Sequence, residues 1–143
     1  MHPLVKWGCL LPIVAIGVLI CGAFLLDYFM PSAARSKLPP SATQIQEYYS
    51  CSWNGDFVRV IKAKLPREEY VSYAQSLSLA TLFDPAINHD IESEINMGVG
   101  DAPTWWTPPR ASRTTYFRYE KGDDYLEVLS YSNGYVYYLV SSW

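Results

Sequence analysis

From Trp7 to Leu26 the chain carries no charged residue, and Lys6 and Asp27 bracket the stretch. No other feature constrains the fold so strongly. A helix over this stretch, rising about 1.5 Å per residue, spans the roughly 30 Å hydrocarbon core of a bilayer. Trp7 at one end, and Tyr28 with Phe29 at the other, suit the two membrane–water interfaces. The sequence therefore predicts a transmembrane anchor over residues 1–30, a Pro/Ser-rich linker over 31–40 and a folded domain over 41–143. A cleaved signal peptide is the alternative, because Pro31-Ser32-Ala33-Ala34 offers small residues to a peptidase. Signal h-regions run about 7–15 residues, shorter than this stretch, which favours the anchor. Ile20 is too bulky for the small residue a lipid-modified Cys21 needs before it. Pro12 falls in the first turns, where proline does least damage. Gly17 and Cys21 form a small-xxx-small pair that permits close helix approach.

Charge does not orient the anchor, since Lys6 stands before it and Arg35 and Lys37 after it. The short N-terminal segment and the larger C-terminal part favour N-inside and C-outside. In a bacterium this places the chain in the plasma (inner) membrane as a single-pass signal-anchor protein with an extracytoplasmic domain, and the bilayer is its first partner.

The rest is long enough for one compact domain. The formal net charge is −3, with both signs scattered along the chain. Without a basic stripe, nucleic acid is not an expected partner. Of the 3 Cys, Cys9 and Cys21 belong to the anchor and Cys51 is alone in the domain, so no internal disulfide can brace it. No Asn-x-Ser/Thr sequon occurs. Pro39-Pro40 favours extended backbone just before the domain.

Two runs near the C-terminus, Tyr125–Tyr131 and Tyr135–Ser141, are rich in β-branched and aromatic residues and flank Asn133-Gly134. This is the strongest short hairpin signal. Thr114–Tyr119 precedes them as a third strand of a meander. Upstream, Thr43–Trp53 and Phe57–Leu65 flank Asn54-Gly55 and predict a second hairpin. Between hairpin and meander, Pro66-Arg67-Glu68-Glu69 puts proline and acids at a helix start, and Tyr70, Val71, Ala74 and Leu77 recur at helical spacing. A shorter helix is expected within Pro85–Ile95, and a loop over Gly98–Pro109. The fold class is α+β: an antiparallel sheet of about four to five strands with one main helix packed on one face.

The predicted register separates two faces of the last hairpin. One carries Tyr125, Glu127, Leu129, Tyr131, Val136, Tyr138 and Val140. The other carries Leu126, Val128, Ser130, Tyr135, Tyr137 and Leu139. The second is free of charge and is expected to meet the helix. The first then presents Tyr125, Tyr131 and Tyr138 as a candidate platform for a protein, peptide or glycan, because tyrosine joins apolar area to a polar tip. Burial of both faces is the competing reading. Trp105-Trp106, followed by Thr-Pro-Pro109, is a second candidate, as a stacking or docking lip; the alternative is a plug at the sheet.

Other chemistry finds little footing. Asp84, His89, Asp90, Glu92 and Glu94 form an acidic cluster without the spacing of a calcium loop. His89 has no partner histidine outside the N-terminal segment, so no metal is expected. Nothing brings Cys51 and His89 together as nucleophile and base. Gly98-Val-Gly-Asp101 spells the Gly-x-Gly-Asp string of intramembrane aspartyl proteases, but in a polar loop far from the span. Phosphate loops and nucleophile elbows do not occur, so neither a cofactor nor an enzyme activity is expected. Three function classes stand: a tethered binding or accessory module, a subunit or regulator of a membrane complex acting through the span, and a small hydrolase with an unrecognised site. The first is favoured, because the domain lacks the convergent polar groups of an enzyme.

Overall fold

The structure is a computed structural model that describes residues 12–22, 31–96, 99–100, 102–122 and 124–143. The chain divides into two compact units, Met1–Ala33 and Ala34–Trp143. In the first, residues 12–22 are helical (α1), and Ile13, Val14, Ile16, Val18, Leu19 and Ile20 are exposed along it. The two ends of the expected Trp7–Leu26 span lie outside the described residues. Among the described residues, no helix is long and apolar enough to cross a membrane.

The second unit is α+β. Its elements run α2 (Ala33–Ser36), β1 (Thr43–Cys51), β2 (Phe57–Lys64), a 3₁₀ turn (Arg67–Glu69), α3 (Tyr70–Ser76), β3 (Thr81–Leu82), α4 (Glu92–Ile95), β4 (Tyr116–Glu120), β5 (Tyr125–Ser132) and β6 (Tyr135–Ser142). The described strands form one six-stranded sheet in the order β1-β2-β6-β5-β4-β3, antiparallel throughout. Both expected hairpins are present. The pairing of β2 with β6 joins the first hairpin to the last and puts Ile61 opposite Tyr138 and Ala63 opposite Val136.

The β5–β6 turn sets the register of the sheet centre. Asn133 at φ 53° and Gly134 at φ 82° give the left-handed pair that a type I′ turn requires, and Tyr131 falls opposite Val136 as the Asn-Gly signal predicts. Gly134 also accepts the Leu65 N–H at its carbonyl, at 2.9 Å. Replacing Gly134 by Val should cost roughly 1–3 kcal/mol, the range for a side chain forced into such backbone. Urea unfolding checks this; an unchanged midpoint would mean that the turn relaxes to another type.

Pro66, at φ −56°, leads into the 3₁₀ turn, from which α3 continues. Tyr70, Tyr73, Ala74 and Leu77 bury one stripe of α3 against the sheet. The helix ends in a Schellman arrangement: Ser78 N–H donates to Gln75 O at 2.9 Å and Leu79 N–H to Ala74 O at 3.0 Å, with Ser78 at φ 61°. Glycine holds that conformation without a Cβ clash. Ser78→Gly should therefore raise stability by about 1 kcal/mol, seen as a higher melting temperature; a lower one would show that the Ser78 side chain contributes more than its backbone costs.

The helix covers the sheet face opposite to the one predicted. Leu129, Val136, Tyr138 and Val140 lie under α3 together with Ile61 and Ala63. The presence of Glu127 on this face argued for solvent, but its charge is matched locally. Arg118 sits across from it in the β4–β5 register, with Nη1 2.9 Å from Oε2, and the Tyr138 hydroxyl donates to Oε1 at 2.6 Å. A buried carboxylate so paired no longer demands water.

The other face is buried too. Val60, Leu126, Val128, Tyr137 and Leu139 pack beneath the connection between β3 and β4, which brings Phe83, Ile95 and Trp106 onto them. Within that connection the expected Pro85–Ile95 helix is reduced to α4. Asp84 and Asn88 cap each other instead: Asp84 N–H donates to Asn88 Oδ1 at 2.9 Å and Asn88 N–H to Asp84 O at 2.8 Å. Such side-chain bonds compete with helix formation. The Pro-rich stretch after residue 33 also joins the packed unit: Ala34 is buried and accepts the Tyr73 hydroxyl at 3.0 Å, and Leu38 packs on the core.

Candidate functional site

The tyrosines predicted as an open platform are committed to packing. Tyr138 is 4% exposed, which corrects its placement on a free surface. Tyr131 is half-buried, and its hydroxyl donates to Leu65 O at 2.9 Å while its ring meets Tyr70 at 5.3 Å. Tyr125 is half-buried as well, and burial together with the neighbouring Glu127 charge pushes its hydroxyl up to about 12. Desolvation raises Tyr70, Tyr73 and Tyr138 further, with Tyr116 adding to it at Tyr70, Glu47 at Tyr73 and the Glu127 bond at Tyr138. The face is covered because α3 supplies two tyrosines of its own, Tyr70 and Tyr73, whose hydroxyls reach backbone carbonyls across the core.

The Trp105-Trp106 pair divides its roles. Trp106 is buried and stands edge-on to Tyr137 at 5.7 Å, plugging the second sheet face. Trp105 is half-buried, and its carbonyl accepts from Lys62 Nζ at 3.2 Å. His89 and Cys51 are both exposed. Among the described residues, no three His, Cys, Asp or Glu side chains gather to hold a metal. Gly98 and Asp101 lie outside the described residues.

What the fold does build is a cavity of about 370 Å³ on the second face, where β1, β2, β5 and β6 meet at one end of the sheet. The register explains its floor. Ser141 pairs with Val58 on one side and Leu126 on the other, so these three side chains share a face, with Leu139 two residues along β6. Glu94, Val99 and Gly100, from the connection that covers this face, stand over the floor. Cys51 at the end of β1, Ser52 and Asp56 from the β1–β2 turn, and Trp143 also line it. The turn is held by Ser52 N–H to Asp56 O at 2.8 Å and by Gly55 at φ 97°. Its Trp53 is fully exposed.

Two details describe the polar groups at this cavity. Ser141 is 4% exposed, and its Oγ has no hydrogen-bond partner. A buried hydroxyl left unpaired costs on the order of 1–3 kcal/mol. Another serine on this face, Ser130, is satisfied by Thr115 Oγ1 at 3.3 Å. Second, the described lining contains Asp56 and Glu94 but no Lys, Arg or His. A neighbouring void of about 250 Å³ runs under Trp106 and Pro108 to Val128 and Leu139.

Cys51 and Glu94 were named in the sequence for other chemistry, and nothing there placed them in one cavity with Val58 and Leu126. The available signal was Ser141, a polar position at the end of an apolar face, but it looks the same as an exposed strand end until the covering segment is placed. The chain matches no protein-family model, no curated protein and no solved structure.

Proposed function

We propose that this chain is a membrane-anchored, non-enzymatic binding module whose C-terminal domain holds a small, largely apolar ligand in the cavity at the end of the sheet. The cavity itself, with Val58, Leu126 and Leu139 in its lining, is the observation that carries the reading. The volume of about 370 Å³ falls in the range of small-molecule sites, which pair apolar walls with a few fixed polar groups. Cys51 is in the lining, yet the described lining brings it no histidine to act as a base, and this favours binding over thiol chemistry.

The anchor is part of the same proposal. The exposed apolar side chains of α1 need lipid or another helix to cover them, and the uncharged Trp7–Leu26 stretch is long enough to provide a span. The full chain is expected to stay with the membrane in alkaline carbonate; release of intact chain to the supernatant would remove the anchor from the proposal.

The cavity is tested by filling it. Val58 is half-buried and on the floor, so Val58→Trp should occupy the space from below. Ligand-observed NMR with a set of compact aromatic fragments should show saturation transfer from the parent chain and none from Val58→Trp at matched melting temperature. Equal transfer from both would place the fragments elsewhere and end the reading.

A further inference from the structure

We infer that the void beneath segment 106–111 is a second binding site, one that takes a small carboxylate carried on a ring-sized apolar body. This site is additional to the cavity at the end of the sheet and does not depend on a ligand there. The two spaces adjoin at Leu139, which lines both, but their chemistry is opposite. The described lining of the cavity holds Asp56 and Glu94 without a cation. The void, of about 250 Å³, is lined by Arg110 and, among the described residues, by neither Asp nor Glu. An acid is therefore repelled from the first and drawn to the second.

Local structure holds the anion donors in place. Pro108 and Pro109, each with φ fixed by its ring, lead into Arg110. On the other side the Ala111 N–H donates to Asn96 Oδ1 at 2.8 Å, which ties the segment to the end of α4. The Arg110 backbone is thus pinned on both sides at the void, while its side chain is exposed. Among the described residues its guanidinium meets no carboxylate. The Ala111 bond also orients the Asn96 amide. Only the amide oxygen can accept from an N–H, so Nδ2 is the opposite end and carries two N–H donors. Asn96 lines the void as well. A guanidinium fork and an amide NH₂ are matched by a carboxylate, which only accepts. The apolar body is served by Val128 and Leu139 on the sheet and by the rings of Trp106 and Tyr137, which stand edge-on at 5.7 Å. The volume lies below that of drug-sized sites, which limits the body to about one ring. An alcohol brings no charge to the guanidinium, and an ammonium ion sets a second cation beside it.

The test uses the full chain in nanodiscs of zwitterionic lipid at pH 7, with empty nanodiscs as the blank. Saturation-transfer NMR titrations compare phenylacetate, 2-phenylethanol and phenethylamine, which share a ring and differ in charge. Phenylacetate is expected to bind at least about tenfold tighter than the alcohol, the difference that a charge-assisted hydrogen bond supplies, and the amine no tighter than the alcohol. Arg110→Gln should bring phenylacetate to the affinity of the alcohol. Asn96→Asp keeps an oxygen for the Ala111 N–H and replaces the amide donor by a negative charge, so it should abolish binding of phenylacetate at an unchanged melting temperature. Should Asn96→Asp prove unstable, Arg110→Gln decides, because Arg110 is exposed and outside the core. Equal affinity for acid and alcohol, tighter binding of the amine, an acid preference that survives Arg110→Gln, or no binding of phenylacetate would overturn the assignment. Binding of the alcohol and not of the acid would overturn this site and leave the reading of the cavity at the end of the sheet in place.

Discussion

Raising the pH above 10 is expected to unfold the C-terminal domain cooperatively. Tyr70, Tyr73 and Tyr138 are each at most 5% exposed, and each uses its hydroxyl proton as a donor inside the core. Tyr70 lies 2.7 Å from Leu129 O and 2.8 Å from Thr114 O, Tyr73 lies 3.0 Å from Ala34 O, and Tyr138 lies 2.6 Å from Glu127 Oε1. Burial leads the upward shift of all three. The folded chain therefore keeps these protons at a pH where the unfolded chain, with ordinary tyrosines near 10, releases them. The stabilisation is fully present below pH 10 and is lost as the pH climbs from there towards the raised folded values. Each group contributes a slope of about 1.4 kcal/mol per pH unit, so three give about 4. Against a typical domain stability of about 5–15 kcal/mol, one to a few pH units above 10 suffice. Tyrosinate absorbance at 295 nm and near-UV circular dichroism should change together in one steep step. A gradual rise in absorbance with near-UV dichroism intact would show that these hydroxyls ionise in place.

Arg118→Met is expected to destabilise the domain by on the order of 3 kcal/mol, the low end of the range for orphaning a buried charge. Glu127 has 7% of its side chain exposed, and Arg118 has 36%, so the variant strips the carboxylate of its cation without opening the core to water. The figure sits at the low end because the Tyr138 hydroxyl still donates to Oε1. Adding Glu127→Gln to Arg118→Met should restore most of the loss, since the amide oxygen keeps Tyr138 satisfied and no charge remains buried. Urea unfolding of the parent, the two single variants and the double variant measures the coupling. Losses that simply add would mean that Arg118 acts through its 2.8 Å bond to Ser78 O, which holds the end of α3, and not through Glu127.

The parts legible in the sequence were those with local causes. Asn133-Gly134 announced a turn because few dipeptides accept two left-handed residues in succession, and the observed register follows from it. The α3 stripe was visible in the spacing of Tyr70, Ala74 and Leu77, although Tyr73 completes it and Val71 is 48% exposed. What could not be read was set by contacts distant in sequence. The face that α3 would choose depended on Glu127 finding Arg118 and Tyr138, and a single carboxylate in a strand does not declare its partners. The α4 region looked helical by its Ile spacing, but Asp84 and Asn88 found a competing turn. The β3 strand is two residues long and has no pattern to detect. The cavity exists because one connection covers one end of a sheet face, a relation among Val58, Leu126 and Ser141 that no short window contains.

The two margins of the sheet are unequal. One is β1, nine residues long; the other is β3, two residues long. Strand recruitment needs a run of backbone groups long enough to hold a newcomer, and among the described strands the β1 margin offers the longer run. Should two copies meet through β1, each would spend its longer border on the other. The joined sheet would then have two β3 borders left, each with a short run to offer a third copy. Growth into a filament requires two serviceable borders on every subunit. Among the described strands, the brevity of β3 thus works against growth by sheet extension beyond two copies.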